Sequence, residues 1–347
     1  YLLTNFMNNW QIFTGNSTPH DDWKLPKSPN WRPFGKEIDP NKNRSEIRGE
    51  TFQPREEEIK MVNAALYLRR PLLITGKPGT GKSSLAYAVA RELKLGEVLY
   101  WPITSRSVLK DGLYNYDAIA RLQEVKHQEK SSKANNIGDY ITLGPIGTAL
   151  LPSTKPRIVL IDEIDKSDID LPNDLLNIFE EGRFEIPELV RLKKELSEID
   201  VRTAYTEKEE NKTCTIKDGE VICSNFPLVF LTSNGERDFP PPFLRRCLRL
   251  TMQEPKKEHL VKIIAAHLGA AIADPHDPKK LTDEALNTLV DNFIANRETK
   301  SLATDQLLNA LFMATNGGIH ITNEPIQKQD KLIQNLVQDL GQVEEDE

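Results

Sequence analysis

The run Gly76-Lys-Pro-Gly-Thr-Gly-Lys82-Ser83 constrains this chain more than any other stretch. It fills the spacing G-x-x-x-x-G-K-[ST]. In that pattern glycines let the backbone wrap phosphate oxygens, main-chain N–H groups and a helix N-terminus face the negative charge, and a lysine reaches the outer phosphates. A chance match in a chain of 347 residues is on the order of one in a hundred from residue frequencies. The flanks supply the required setting: Pro71-Leu-Leu-Ile-Thr75 reads as a short buried strand, and Ser84 to Leu93 as an apolar helix. Gly76, Lys77, Pro78, Gly79, Thr80, Gly81, Lys82, Ser83 and Ser84 are therefore the expected nucleotide-binding set, with Ser83 as a ligand of Mg2+.

Hydrolysis needs a further carboxylate on the metal side and a group that activates water. Ile158-Val-Leu-Ile-Asp162-Glu163 offers both at the end of an apolar strand, Asp162 for magnesium and Glu163 for the attacking water. An acidic strand end means little alone and gains weight beside the phosphate loop. A polar residue at the tip of the neighbouring strand is then expected between γ-phosphate and water. Thr232-Ser-Asn234 follows Val229-Phe-Leu231; Asn234 is assigned that role, with Thr232 in reserve. Farther on, Pro240-Pro-Pro-Phe-Leu-Arg245-Arg246 presents two arginines after a rigid turn, suited to reaching a neighbouring subunit's γ-phosphate. A plain pair of surface cations is the competing reading.

Short apolar strands separated by helical stretches (71–75, 98–103, 157–162, 227–232, 248–252) predict an α/β fold with a parallel sheet covered on both faces. After Pro255 the pattern turns helical, at about 257–273, 282–296, 304–314 and 326–340. This divides the chain into an arm over 1–50, a core over 51–254 and a helical domain with an acidic tail over 255–347. The arm holds Trp10, Trp23 and Trp31 without a sustained period and reads as an extended segment whose aromatics anchor on a surface. Two charged stretches, near 120–140 and 186–225, read as insertions that project from the core. In the second, a turn at Asp218-Gly219 would set Cys214 opposite Cys223 across a hairpin, with a disulfide not expected in a reducing compartment.

Net charge argues against a broad grip on nucleic acid, since 45 Lys plus Arg face 52 Asp plus Glu, a balance of −7. A local basic stretch, Lys126 to Lys133, is where such binding would be sought. The three cysteines and six scattered histidines show no zinc spacing. No apolar run is long enough to span a bilayer and no leader pattern opens the chain, which begins at Tyr1, so a cytoplasmic protein without a membrane association is expected.

Taken together, phosphate loop, Asp-Glu strand, Asn strand tip, arginine pair and helical lid resemble the AAA+ ATPases over roughly residues 50–320. The branch resembled most is the MoxR-like one, of the helix-2-insert clade. The stretches that carry the likeness are Arg70-Pro-Leu-Leu-Ile-Thr-Gly-Lys-Pro-Gly-Thr-Gly-Lys-Ser83, Thr104-Ser-Arg-Ser-Val-Leu-Lys-Asp-Gly-Leu-Tyr-Asn-Tyr-Asp-Ala118, Leu143-Gly-Pro-Ile-Gly147, Asp162-Glu-Ile-Asp-Lys-Ser167 and Leu175-Leu-Asn-Ile-Phe-Glu-Glu-Gly-Arg-Phe184. The first and fourth are generic to AAA+ proteins, while the others are more particular.

The resemblance implies a P-loop NTPase core with a five-stranded parallel sheet in the order 5-1-4-3-2 and a small C-terminal helical lid. It also implies a homo-oligomeric ring of six subunits, with each ATP site completed by Arg246, or Arg245, of the next subunit. The two charged stretches would match the clade's helix-2 insertion and the hairpin before the Asn strand. A protein partner containing a von Willebrand factor A type domain is implied as well, and the subtype is similar to those of bacterial conflict systems. One departure stands out: 297–304 lacks the arginine often found near the start of the third lid helix, and Lys300 or Arg297 is the candidate substitute. That departure keeps open a nucleotide-gated scaffold with little hydrolysis, and a nucleic-acid motor shares the same catalytic residues.

Overall fold

The computed structural model describes residues 44–127, 137–206, 209–269, 283–297, 302–316 and 328–337, with 12–13, 15, 17, 19–21, 25 and 28–32. Trp10, Trp23, Lys300 and residues 128–133 of the basic stretch lie outside the described residues.

Five parallel strands form the central sheet: β1 Leu72–Thr75, β2 Leu99–Pro102, β3 Ile158–Asp162, β4 Leu228–Ser233 and β5 Leu248–Thr251. Their order across the sheet is β5-β1-β4-β3-β2, as expected from the sequence. Continuous apolar runs mark the inner strands β1, β4 and β3, which are covered on both faces, while the edge strands β2 and β5 alternate buried with exposed residues. Leu72, Ile74, Ile158, Leu160, Leu228 and Phe230 pack with Val62, Leu85, Ala86 and Ala90 from the helices Glu56–Leu68 and Lys82–Glu92. The alternate residues Leu73, Val159, Ile161, Val229 and Leu231 point the other way, into a cluster with Ile146, Leu175 and Phe243. All six residues of β4, at the centre of the sheet, are buried.

The segment over 186–225 does not simply project. Glu198–Arg202, Thr213–Lys217 and Glu220–Ile222 join Tyr114–Tyr116, Ile141–Leu143 and Arg183–Glu185 in a six-stranded second sheet. Its inward residues Ile199, Val201, Ile216 and Val221 are buried in the same cluster as one face of the central sheet. The charges of Glu198, Asp200 and Arg202 alternate with them, so one face is solvated and the other packed. Asp218 (φ 53°) and Gly219 (φ 76°) make the turn of the Thr213–Ile222 hairpin, and Cys214 and Cys223 are free thiols. Burial pushes the Cys214 thiol up to about 11 and the Cys247 thiol up to about 12.

Residues 1–50 carry no sustained period, yet Arg44–Glu50 is a helix lying on the helix Lys82–Glu92, where Arg48 donates to the Tyr87 hydroxyl at 2.9 Å. A seven-residue element is too short to announce itself by periodicity. The C-terminal region consists of the helices Lys257–Leu268, Asp283–Arg297, Thr304–Asn316 and Lys331–Leu336, which close on Leu260, Ile264, Leu289, Phe293, Leu307, Leu311 and Ile333. No helix among the described residues is long and apolar enough to cross a membrane.

The Leu143-Gly-Pro-Ile-Gly147 stretch has a packing reason. A Cβ on Gly147 would sit 1.9 Å from the Leu113 carbonyl oxygen, and one on Gly144 would sit 2.3 Å from that of Asp111. The helix Pro145–Ala149 therefore packs backbone to backbone against Leu109–Leu113. Gly147→Ala is expected to lower unfolding free energy by about 1–3 kcal/mol, the usual cost of overpacking, measured by chemical denaturation.

Candidate functional site

Parallel strands put their C-terminal ends on one edge of the sheet, and β1, β3 and β4 are neighbours, so the residues that follow them meet there. β1 ends in Thr75 and hands over to the glycine loop. Gly76, Gly79 and Gly81 adopt φ of 151°, 75° and 88°, values that let the loop curl over the start of the helix Lys82–Glu92. A side chain at Gly76 would meet the Met252 carbonyl oxygen at 2.6 Å, so the loop is seated directly on the residue that follows β5.

Lys82 Nζ donates to the Gly76 carbonyl at 2.7 Å, to the Lys77 carbonyl at 3.0 Å and to Asn234 Oδ1 at 2.8 Å. Burial pulls its ammonium below the ordinary lysine pKa, while Asp165, Asp162 and Glu163 act in the opposite direction. Ser83 Oγ donates to Asp162 Oδ1 at 2.7 Å, and Thr232 Oγ1 donates to the same oxygen at 2.6 Å. The Tyr100 hydroxyl reaches Asp162 Oδ2 at 3.2 Å; burial, then the adjacent carboxylate, push its pKa up to about 12. Asp162 is thus held by hydroxyl donors from the loop helix, β4 and β2.

Glu163 leaves β3 in the left-handed region, φ 60° and ψ 49°, with its N–H on Thr232 Oγ1 at 2.9 Å. This conformation is uncommon for a residue other than glycine and turns the chain off the strand immediately after Asp162. Its carboxylate meets Lys166 Nζ at 2.7 Å on one oxygen and Asn234 Nδ2 at 3.5 Å on the other. Asn234 therefore stands between Lys82 and Glu163. Thr232 positions the backbone and Asp162 instead.

Asp165 is a residue the sequence reading passed over. It is 3% exposed, and its Oδ2 accepts the N–H of Asn234 at 2.9 Å and of Glu236 at 3.1 Å, clamping the loop after β4 to the loop after β3. The signal was present in the Asp162-Glu-Ile-Asp165 spacing but carried no packing information on its own.

The arginine pair lies on the helix Pro241–Arg246. Arg245 is exposed, while Arg246 forms an ion pair with Glu180 at the end of the helix Leu171–Glu181. Neither is hydrogen-bonded to the phosphate loop of its own chain among the described residues. Arg297 is turned to the junction of core and lid, where its guanidinium donates to the Pro255 carbonyl at 2.8 Å and lies 3.7 Å from Glu254; Glu254 also pairs with Lys77 of the phosphate loop at 3.2 Å.

Beside the loop opens a cavity of about 360 Å3, bounded by Gly79 to Gly81, Ser83 and Ser84 on one side and by lid residues such as His259, Ile263 and Leu308 on another. The stretch Thr51 to Gln53 and Arg55, ahead of the helix Glu56–Leu68, forms a third wall. These residues were missed because they converge from distant segments and share no motif. A Cβ on Gly79 would come within 2.6 Å of Ala303 Cβ, which shows how closely the lid approaches the loop.

The donor set suits a magnesium–triphosphate group: a buried cation, a hydroxyl paired with a carboxylate, and a loop of left-handed glycines beside a cavity large enough for a nucleoside. Asp165→Ala would leave the N–H groups of Asn234 and Glu236 without their acceptor. It is expected to cost about 1–3 kcal/mol per stranded donor, seen as a lowered denaturant midpoint.

No curated protein matches the chain. A family model described as AAA domain (dynein-related subfamily) matches residues 71–247, from the first residue before β1 to the one after Arg246. That span covers just over half of the chain and contains the phosphate loop, the Asp-Glu strand end, the Asn loop and the arginine pair. The chain therefore belongs to the AAA domain family, dynein-related subfamily.

Proposed function

We propose that this protein is a magnesium-dependent AAA+ ATPase that hydrolyses ATP at the loop edge of its central sheet. The observation that carries the reading is the chain of contacts Lys82–Asn234–Glu163, set beside the Ser83–Asp162 pair. Lys82 would exchange its bonds to the Gly76 and Lys77 carbonyls for phosphate oxygens. Ser83 and Asp162 would hold Mg2+, which supplies charge neutralisation between the outer phosphates. Glu163 would accept the proton of the attacking water while Asn234, anchored by Asp165, orients that water. Lys166 pairs with the same carboxylate at 2.7 Å and holds it in place beside Asn234.

Arg246 is the favoured trans-acting finger and Arg245 the second candidate, since both lie away from their own chain's phosphate loop contacts. That role requires a ring, which we propose to be a hexamer, with Arg246 leaving Glu180 when a neighbouring subunit docks. The exposed ion pair would be a weak restraint. The likeness to MoxR-like proteins supports work on a protein partner, remodelled or assembled by ring motions, with a von Willebrand factor A type domain as the partner's expected module and a bacterial conflict system as the setting. The net charge of −7 favours a protein over a nucleic acid.

A nucleotide-gated scaffold with little turnover is the second reading, favoured by Arg297, whose guanidinium is engaged by Glu254 and Pro255 at the lid junction. Steady-state phosphate release separates the two. In Glu163→Gln, turnover is expected to fall by roughly 10²–10⁴-fold while ATP binding persists, the usual range for loss of a general base. Wild-type turnover in that variant would remove Glu163 from the mechanism, and negligible turnover in the unmodified ring would favour the scaffold.

A further inference from the structure

The aromatic residues of the N-terminal arm belong to no motif, and one of them sits at the nucleotide cavity. Asn30 Nδ2 donates to the His267 carbonyl at 3.0 Å, near the end of the lid helix Lys257–Leu268. The turn that follows, closed by Arg32 N–H on the Pro29 carbonyl at 2.8 Å, delivers the Trp31 indole between two lid rings. Its centroid lies 5.4 Å from His267 at 84° and 5.8 Å from Phe312 at 79°, edge-to-face geometry in both cases. Burial lowers the His267 pKa. Trp31 packs on the lid's apolar core, far in sequence from the family match.

Asn30 and Trp31 also line the cavity that Gly79 to Gly81 border, together with Phe52 and Tyr87. Phe52 itself lies over the loop, its Cε2 3.0 Å from where a Cβ on Gly81 would stand. One cavity is therefore lined both by a phosphate-binding loop and by aromatic side chains, and two residues outside the core contribute to that lining. Phosphates need the loop's donors; a planar heteroaromatic base gains from rings.

We propose that Trp31 is a binding residue for the base of the nucleotide: the turn at residues 29–32 is seated on the lid and its indole forms part of the wall against which the base packs. The proposal rests on the nucleotide reading of the loop and adds the residue that recognises the part of the ligand the loop does not touch. It separates two halves of the ligand. Trp31 acts on the base, Lys82 on the phosphates.

The test compares binding of ATP and of inorganic tripolyphosphate, both with magnesium, to the full chain by titration calorimetry. Trp31→Ala is expected to weaken ATP roughly tenfold and to leave tripolyphosphate within about twofold, with Trp31→Phe close to the unmodified chain. Lys82→Ala is expected to lose both probes. Equal weakening of both probes by Trp31→Ala would overturn the proposal, since the residue would then act through lid position or folding. Unchanged ATP affinity in Trp31→Ala, with Lys82→Ala still losing ATP, would overturn it while sparing the nucleotide reading. Retention of both probes by Lys82→Ala would remove that reading and the proposal with it.

Discussion

One carboxylate oxygen organises this site. Asp162 Oδ1 receives the hydroxyls of Ser83 and Thr232, and Tyr100 approaches the other oxygen, so the first turn of the loop helix, the central strand and the edge strand are all referred to a single group. The arrangement exists because β1, β4, β3 and β2 are adjacent and parallel, which brings their C-terminal ends to one edge. A carboxylate at the end of a strand buried on both faces is held in place by the core itself.

From that point the geometry propagates through the backbone. Thr232 bonds both Asp162 and the N–H of Glu163, so the left-handed turn at Glu163 is set by the strand that also carries Asn234. Asp165 then ties the Asn234 loop back. Side chains that would act on water and phosphate are thereby fixed relative to one another by partly buried hydrogen bonds, the kind of support that keeps a reacting geometry within fractions of an ångström. The lid contributes through a different set of contacts, Lys77–Glu254–Arg297, which runs from the exposed Lys77 ammonium to the largely buried Arg297 guanidinium.

The candidate site was legible in the sequence because each of its parts has a local signature. Four glycine-loop features, an Asp-Glu pair after Ile158-Val-Leu-Ile161 and an Asn after Val229-Phe-Leu231 can be found without three-dimensional information. Parallel strands buried on both faces, as apolar runs, gave up the central sheet in the same way. The second sheet was harder to see. Ile199 and Val201 lie inside a run of charges, and their two-residue alternation marks a half-buried strand only once a partner such as Thr213–Lys217 is known. The cavity walls were invisible for a further reason. Trp31 and Phe52 each lie more than 200 residues before His267, and only folding puts all three on one surface.

Asp162→Asn tests the account most directly, because the amide can still accept the Ser83 and Thr232 hydroxyls while losing the charge that would hold magnesium. Magnesium-dependent phosphate release from ATP is predicted to fall by roughly a hundredfold or more with the fold intact by circular dichroism. Wild-type magnesium-dependent release by Asp162→Asn would contradict the account.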